Sequence, residues 1–227
     1  MQAGHTDREF EAELEELRRG LIVMGGRVEE MITDSVRAFA ERDAVLAEAT
    51  IRSDSKVNQM ELDCDELCLM ILAKRQPMGS DLRFITLALK MVTDLERIGD
   101  LAVNICERAL DLAVEQPLAR SPEIPQMAEL VQRMVHDAID AFVRWDDELA
   151  RRVIASDDQV DEIYGQATRD LLDRMTTDPK TIERGIHVLS VAKWLERMAD
   201  HAENLAEHVI FMVSGTDVRH NHKAAQA

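Results

Sequence analysis

The segment LERIGDLAVNICE at 95–107 returns one hundred residues on as LERMADHAENLAE at 195–207. Glu96, Arg97, Asp100, Asn104 and Glu107 recur as Glu196, Arg197, Asp200, Asn204 and Glu207. Repeats of a structural unit usually keep the apolar residues that pack it. Here polar identities are kept too, so the copies share a surface as well as a core. Whatever fold the chain takes must contain the same unit twice.

The repeat extends upstream. Phe39, Asp43, Leu46, Ala47, Ile51, Ser53, Asp54 and Val57 map onto Phe142, Asp146, Leu149, Ala150, Ile154, Ser156, Asp157 and Val160, 103 residues on. The offset falls to 100 by the later motif, which places a three-residue deletion in or near the second helix of the second copy. In the opening segment Leu14, Leu17, Leu21, Met24, Val28 and Met31 step by threes and fours, the period of a helix seam. No run alternates with period two, and aromatic residues are only 4% of the chain, so an all-α fold is expected. Pro77 and Pro179 interrupt equivalent places, and Pro117, Pro122 and Pro125 cluster between the copies.

These breaks predict six long helices, near 8–41, 43–75, 80–115, 121–144, 146–175 and 179–214, forming two tandem three-helix bundles. Ser80 is the expected N-cap of the third, and Asp178 with Pro179 at the first turn opens the sixth. The domain reading is a first repeat at 1–116, a linker at 117–125, a second repeat at 126–215 and a flexible tail at 216–227.

A net charge of −17 excludes polyanions as natural partners, so no nucleic acid is expected, and it opposes phosphate binding without an intervening metal. Three cysteines on helical segments, no secretory signal and no apolar run of membrane-spanning length point to a soluble protein in a reducing cytoplasm. Cys64 and Cys68 fall on an apolar line and read as core. His201 is assigned no role, and His220 and His222 sit in the tail.

On a helical wheel centred on Ile98, Glu96, Asp100 and Asn104 fall at roughly 160°, 200° and 240°. They lie opposite the apolar face of Met91, Leu95, Ala102 and Ile105. Glu196, Asp200, Asn204 and Glu207 fall outward around Met198 in the same way. A second ladder on the preceding helix holds Asp54, Asn58, Glu61 and Asp65, with Asp157, Asp161 and Tyr164 as its counterpart. Carboxylates stacked at this spacing repel by ~0.2–0.5 kcal/mol per pair. A divalent cation spanning two helices would relieve that, and oxygen donors suit magnesium, manganese, calcium or iron. A solvated acidic face, with Arg97 and Arg197 as ordinary ion-pair partners, explains the same spacing.

RQPMGSDLR at 75–83, DLERIGDLAVNI at 94–105, WLERMADHAENL at 194–205 and AELEELRRGLIVMGGRVEEMI at 12–32 together resemble the PhoU family of phosphate-uptake regulators, from about residue 9 to 220. The resemblance implies a cytoplasmic, often dimeric protein that restrains a phosphate ABC transporter. It implies contact with the transporter's ATPase subunit and with a phosphate-sensing histidine kinase, and no approach to the membrane except through these partners. It also implies surface metal ions, as iron, zinc, manganese or magnesium, sometimes multinuclear, held by Glu/Asp-x-x-x-Asp motifs. Residue by residue these are Glu96 with Asp100, Glu196 with Asp200, and Asp157 with Asp161. The first copy departs at Asn58, which follows Asp54 where a second carboxylate would stand, so its site should bind more weakly.

Two other functions compete. A ferritin-like di-metal enzyme needs Glu-x-x-His on helices facing a bundle interior, and no such tetrad occurs in the sequence. A plain helical scaffold without metal would carry nothing stoichiometric. No phosphate loop or nucleophile motif is present, so no enzymatic activity is expected.

Overall fold

A computed structural model describes residues 3–113 and 121–215, with side chains from residue 8 onward. Six α-helices follow one another: α1 Ala3–Glu41, α2 Ala44–Arg75, α3 Ser80–Leu112, α4 Glu123–Arg144, α5 Asp147–Thr177 and α6 Ile182–Ser214. No strand occurs among the described residues. Helix α4 begins at Glu123, inside the expected linker; residues 117–120 of that linker and the tail from 216 lie outside the described residues.

The duplicated turn explains why α1 and α4 each stop and reverse. Asp43 and Asp146 cap α2 and α5, accepting hydrogen bonds from the Leu46 and Leu149 amides at 2.9 Å each. The residue before each cap, Arg42 or Trp145, takes a left-handed conformation, φ 59° and 57°. The amides of Asp43 and Asp146 then reach back five residues to the carbonyls of Ala38 and Ala141, at 3.0 and 2.9 Å. A non-glycine residue in that region costs roughly 1–2 kcal/mol, which the cap and the recovered carbonyls offset.

The second connection differs between the halves. Gly79, at φ 60°, precedes α3, and Ser80 is the first helical residue without a side-chain cap bond, so the expected Ser80 cap is corrected. In the other half Asp178 does cap, accepting from the Lys180 amide at 3.1 Å, but it opens a short 3₁₀ turn, Pro179–Thr181, before α6. Helices α2 and α5 have 32 and 31 residues. The connections, 76–79 and 178–181, have four residues each, and α6 begins two residues nearer its repeat motif than α3 does, so the shortening is split between the end of α5 and the start of α6.

Each half packs as a three-helix bundle, and the bundles join through equivalent helices, α1 against α4 and α3 against α6. The seam Leu17, Leu21, Met24, Val28 and Met31 is buried, with Leu14 packed at its edge. One hydrophobic core runs through all six helices and across the junction. Helices α1 and α4 come close enough that a Cβ on Gly25 would sit 2.0 Å from Ile139 Cδ1. At one end Phe84 stacks on Phe142 and Trp145, centroids 5.1 and 6.3 Å apart, with the Arg18 guanidinium 5.0 Å from the Phe84 centroid. Cys64, Cys68 and Cys106 are buried free thiols, and burial pushes Cys64 up to about 11 and the other two to about 12. Buried in apolar surroundings and with little thiolate at neutral pH, these thiols are packing groups.

Candidate metal centres

Helix α2 lies against α3, and α5 against α6. Because α2 carries Val57, Cys64 and Cys68 into the core, the flanking line of Asp54, Asn58, Glu61 and Asp65 is turned toward α3. Helix α3 meets it with Glu96 and Asp100. All six side chains are half-buried, not lying on an open outer face as the wheel suggests. The wheel describes a helix with one apolar neighbour, whereas α3 has packing partners on three sides, α1, α2 and α6. The strips anticipated separately thus become two walls of one groove in each half.

In the first half, Gly99 is buried in the floor of this groove. A Cβ there would lie 3.5 Å from Val57 Cγ1 and 3.6 Å from Asp54 Oδ1. Asn58 Nδ2 donates to Asp54 Oδ2 at 2.9 Å. Asp54 Oδ1 and Asn58 Oδ1 remain buried with no hydrogen-bond partner. Buried acceptors in this state call for a donor or an ion. Arg97 is more than half exposed and pairs from the rim with Glu96 at 3.6 Å and Asp100 at 3.5 Å. Burial, with Asp100 nearby, raises the Asp54 carboxyl despite the Asn58 bond. Burial, Asp65 and Asp100 raise Glu61, and burial, Asp100 and Glu61 raise Glu96. Burial also raises Asp65.

The second groove is more crowded with charge. Carboxylate oxygens of Asp157 from α5 and of Asp200 and Glu203 from α6 all lie within 4.8 Å of one another. Asp157 is pushed up to about 7, first by burial and then by Glu203, Asp161, Asp200 and Glu196. Asp161 and Asp200 are raised by burial and by Glu196. Lys193 Nζ contacts Glu196 and lies 5.4 Å from the Tyr164 ring centroid.

Glu203 was invisible to the repeat comparison because its equivalent in the first half is Val103. The signal available was its spacing, three residues past Asp200 and seven past Glu196, on the same stripe. Asp157 and Asp200 are drawn together; Asp161 and Glu196 flank them as charged neighbours. Asn104 and Asn204 are half-buried, while Glu107 is exposed and Glu207, expected outside, is only 8% exposed. Helix α6 is covered by α3 and α4 as well as α5, which leaves that turn little free surface. His201 Nδ1 lies 2.9 Å from Asp94 Oδ1, and His208 Nε2 lies 3.4 Å from Asp94 Oδ2, so this histidine pair joins α6 to α3.

The donor sets fit a hard divalent cation. They are oxygen-only, mix carboxylate with amide carbonyl, and include buried acceptors without partners. Residues that would hold it are Asp54, Asn58, Glu96 and Asp100 in one groove, and Asp157, Asp161, Glu196, Asp200 and Glu203 in the other. Each ion would supply positive charge between two helices otherwise held together across mutual repulsion.

A duplicated three-helix repeat with an acidic groove in each copy defines the class. The PhoU domain family matches residues 21–109 and again 124–209. The chain is 46% identical over 217 residues to the phosphate-specific transport system accessory protein PhoU homolog of Pseudomonas putida, covering 95% of this chain and 85% of that one. It is 38% identical over 216 residues to phosphate-specific transport system accessory protein PhoU of Escherichia coli K12, covering 95% and 90%. The crystal structure of PhoU from Pseudomonas aeruginosa superposes with a TM-score of 0.88 at 44% identity, over 91% of this chain and 100% of that one. The phosphate transport system regulatory protein PhoU from Streptococcus pneumoniae superposes at 0.86 with 28% identity, over 92% and 99%. The chain belongs to the PhoU family, whose relatives are named as accessory and regulatory proteins of phosphate transport. Among the described residues, no helix is long and apolar enough to cross a membrane.

Proposed function

We propose that this protein is a cytoplasmic negative regulator of phosphate uptake, acting on a phosphate ABC transporter through its ATPase subunit and on starvation signalling through a sensor histidine kinase. It works as a homodimer and reaches the membrane only through these partners. The observation that carries the reading is the pair of acidic grooves at equivalent places in a chain whose relatives are named for phosphate transport. A divalent ion in each groove changes the local surface from strongly negative toward neutral. Partner docking by charge complementarity responds to such a change.

Oxygen donors select magnesium, manganese or iron over thiophilic ions, with zinc held less well. The repeats, 1–116 and 126–215, act as one unit on this reading, since one groove borders α3 and the other α6, and these two helices pack on each other. The test is capture of the ATPase subunit and of the kinase by purified protein, with metal content measured in parallel, for the wild type and E196Q/D200N. The wild type should carry metal and capture at least one partner at high phosphate, and the variant should lose both. Full partner capture by a variant stripped of metal would overturn the metal clause. Failure of the wild type to capture either partner, together with normally restrained phosphate uptake in cells whose protein lacks the grooves, would overturn the regulatory one.

A further inference from the structure

The two grooves share most of their carboxylates but differ at one facing pair. In the first half Glu61 of α2 lies beside Thr93 of α3, whose hydroxyl donates to the Leu89 carbonyl at 3.2 Å. The equivalent residues in the second half are Tyr164 and Lys193. There the ammonium contacts Glu196 and sits 5.4 Å from the Tyr164 ring centroid, a position in which ring and carboxylate both attract it. The charges around it, Glu196, Asp200 and Asp161, are those of the groove itself. The rim arginine is present in both copies, as Arg97 and Arg197, and in the first groove Arg97 pairs with Glu96 and Asp100 from the rim. Lys193 is the cation that contacts the carboxylates of the second.

We propose that Lys193 is a tethered cation resident in the second groove, so that a divalent ion enters there only by displacing it from Glu196. This rests on the metal reading above and adds a competitor to it: ion and ammonium contend for the same carboxylates. The lysine is well placed to yield, because its side chain is 47% exposed and can swing into water. The groove it vacates exposes Glu196 to the incoming ion. The second groove then has a built-in occupant that bridges α5 and α6, through Tyr164 and Glu196, when ions are scarce.

Tyr164 is the only tyrosine in the chain, so 3-fluorotyrosine incorporation gives a single ¹⁹F resonance inside the second groove. Manganese(II) is the probe: its bound total is counted by electron paramagnetic resonance of the free ion, and its arrival in this groove is read by broadening of the resonance. Measurements in full-length protein, with and without E96Q/D100N to disable the first groove, separate the two events. K193T, which installs the first-half residue, should lower the broadening midpoint about two- to fivefold, the size expected for losing one partly exposed ion pair. K193R keeps the charge and should keep the wild-type midpoint. An unchanged midpoint in K193T, or one that rises, overturns the role of Lys193 while leaving metal binding in place. Absence of bound manganese in every variant overturns the metal reading itself, and the lysine proposal with it.

Discussion

Asp94 of α3 and His201 of α6 meet across the junction of the two halves, Oδ1 to Nδ1 at 2.9 Å, while the second oxygen of Asp94 faces His208 at 3.4 Å. Burial pushes the Asp94 carboxyl up, but the hydrogen bonds to His201 and His208, with their charge, outweigh it and hold the group below its ordinary value of 3.8. A depressed folded-state value means that the stability it contributes is present above that ordinary value and is lost as pH falls through the lower, folded one. D94N should cost roughly 1–3 kcal/mol in urea unfolding at neutral pH, because two buried ring nitrogens lose a charged partner. Combining D94N with H208Q should cost much less than the sum. Additive losses would show that the three groups do not act as a unit.

Asp157 gives the opposite slope. Its folded-state value of about 7 lies far above its ordinary 3.8. Its contribution is therefore complete below 3.8 and lost as pH rises through about 7. Metal-free protein should show a rising thermal midpoint as pH is lowered from about 8 to about 5.5. D157N should flatten that slope. A midpoint that falls over this interval, or a slope unchanged in D157N, would contradict the assignment of crowded, partly protonated carboxylates to this groove.

Like-charge crowding also predicts a crossing of stabilities. D200N removes one charge from the triad with Asp157 and Glu203. Without metal it should be more stable than wild type by about 0.5–1 kcal/mol, from relieved repulsion at several close neighbours. With saturating manganese the order should reverse, since a ligand that binds only the folded state stabilises it in proportion to affinity. Calorimetric scans of both proteins with chelator and with manganese decide this.

The twin caps offer a symmetric test of the fold. D43A and D146A each remove an amide acceptor at the same place in equivalent turns. Each should cost about 1 kcal/mol, and the two should add, because they serve separate hairpins. A much larger cost for one in chemical denaturation would mean that the turns are not energetically equivalent.

Gly25 tests the junction. An alanine there would drive its Cβ to 2.0 Å from Ile139 Cδ1, and Ile139 is itself buried in the core. G25A should destabilise by about 1–2 kcal/mol through overpacking. I139V should recover part of that loss in the double variant. Additive destabilisation would place the clash elsewhere.

Helix count, turn positions and the internal repeat were legible because they rest on periodicity and on residues kept in both copies. Asp43 and Asp146 were visible as a repeated pair, but their capping role was not read from the sequence. The grooves were legible only as two separate strips, since a wheel shows one helix at a time and cannot say which neighbour covers its flank. Glu203 and Lys193 escaped because their partners in the other copy, Val103 and Thr93, differ: a search for sameness hides what makes one half distinct. Glu207 was misplaced because burial there is imposed by α3 and α4, which no local pattern reports. Ser80 lost the capping role to Gly79, whose positive φ turns the backbone by itself.

The unbroken core across α1, α3, α4 and α6 bears on why both copies share one chain. A chain of one repeat would leave bare the faces of its first and third helices that now meet the other half, where Gly25 packs on Ile139 and Phe84 on Phe142. Equivalent helices meet each other at the junction, so a second identical chain could cover those faces by a two-fold arrangement. Joining the two copies in one chain keeps that junction closed at any protein concentration and leaves each groove free to differ, as Thr93 and Lys193 do.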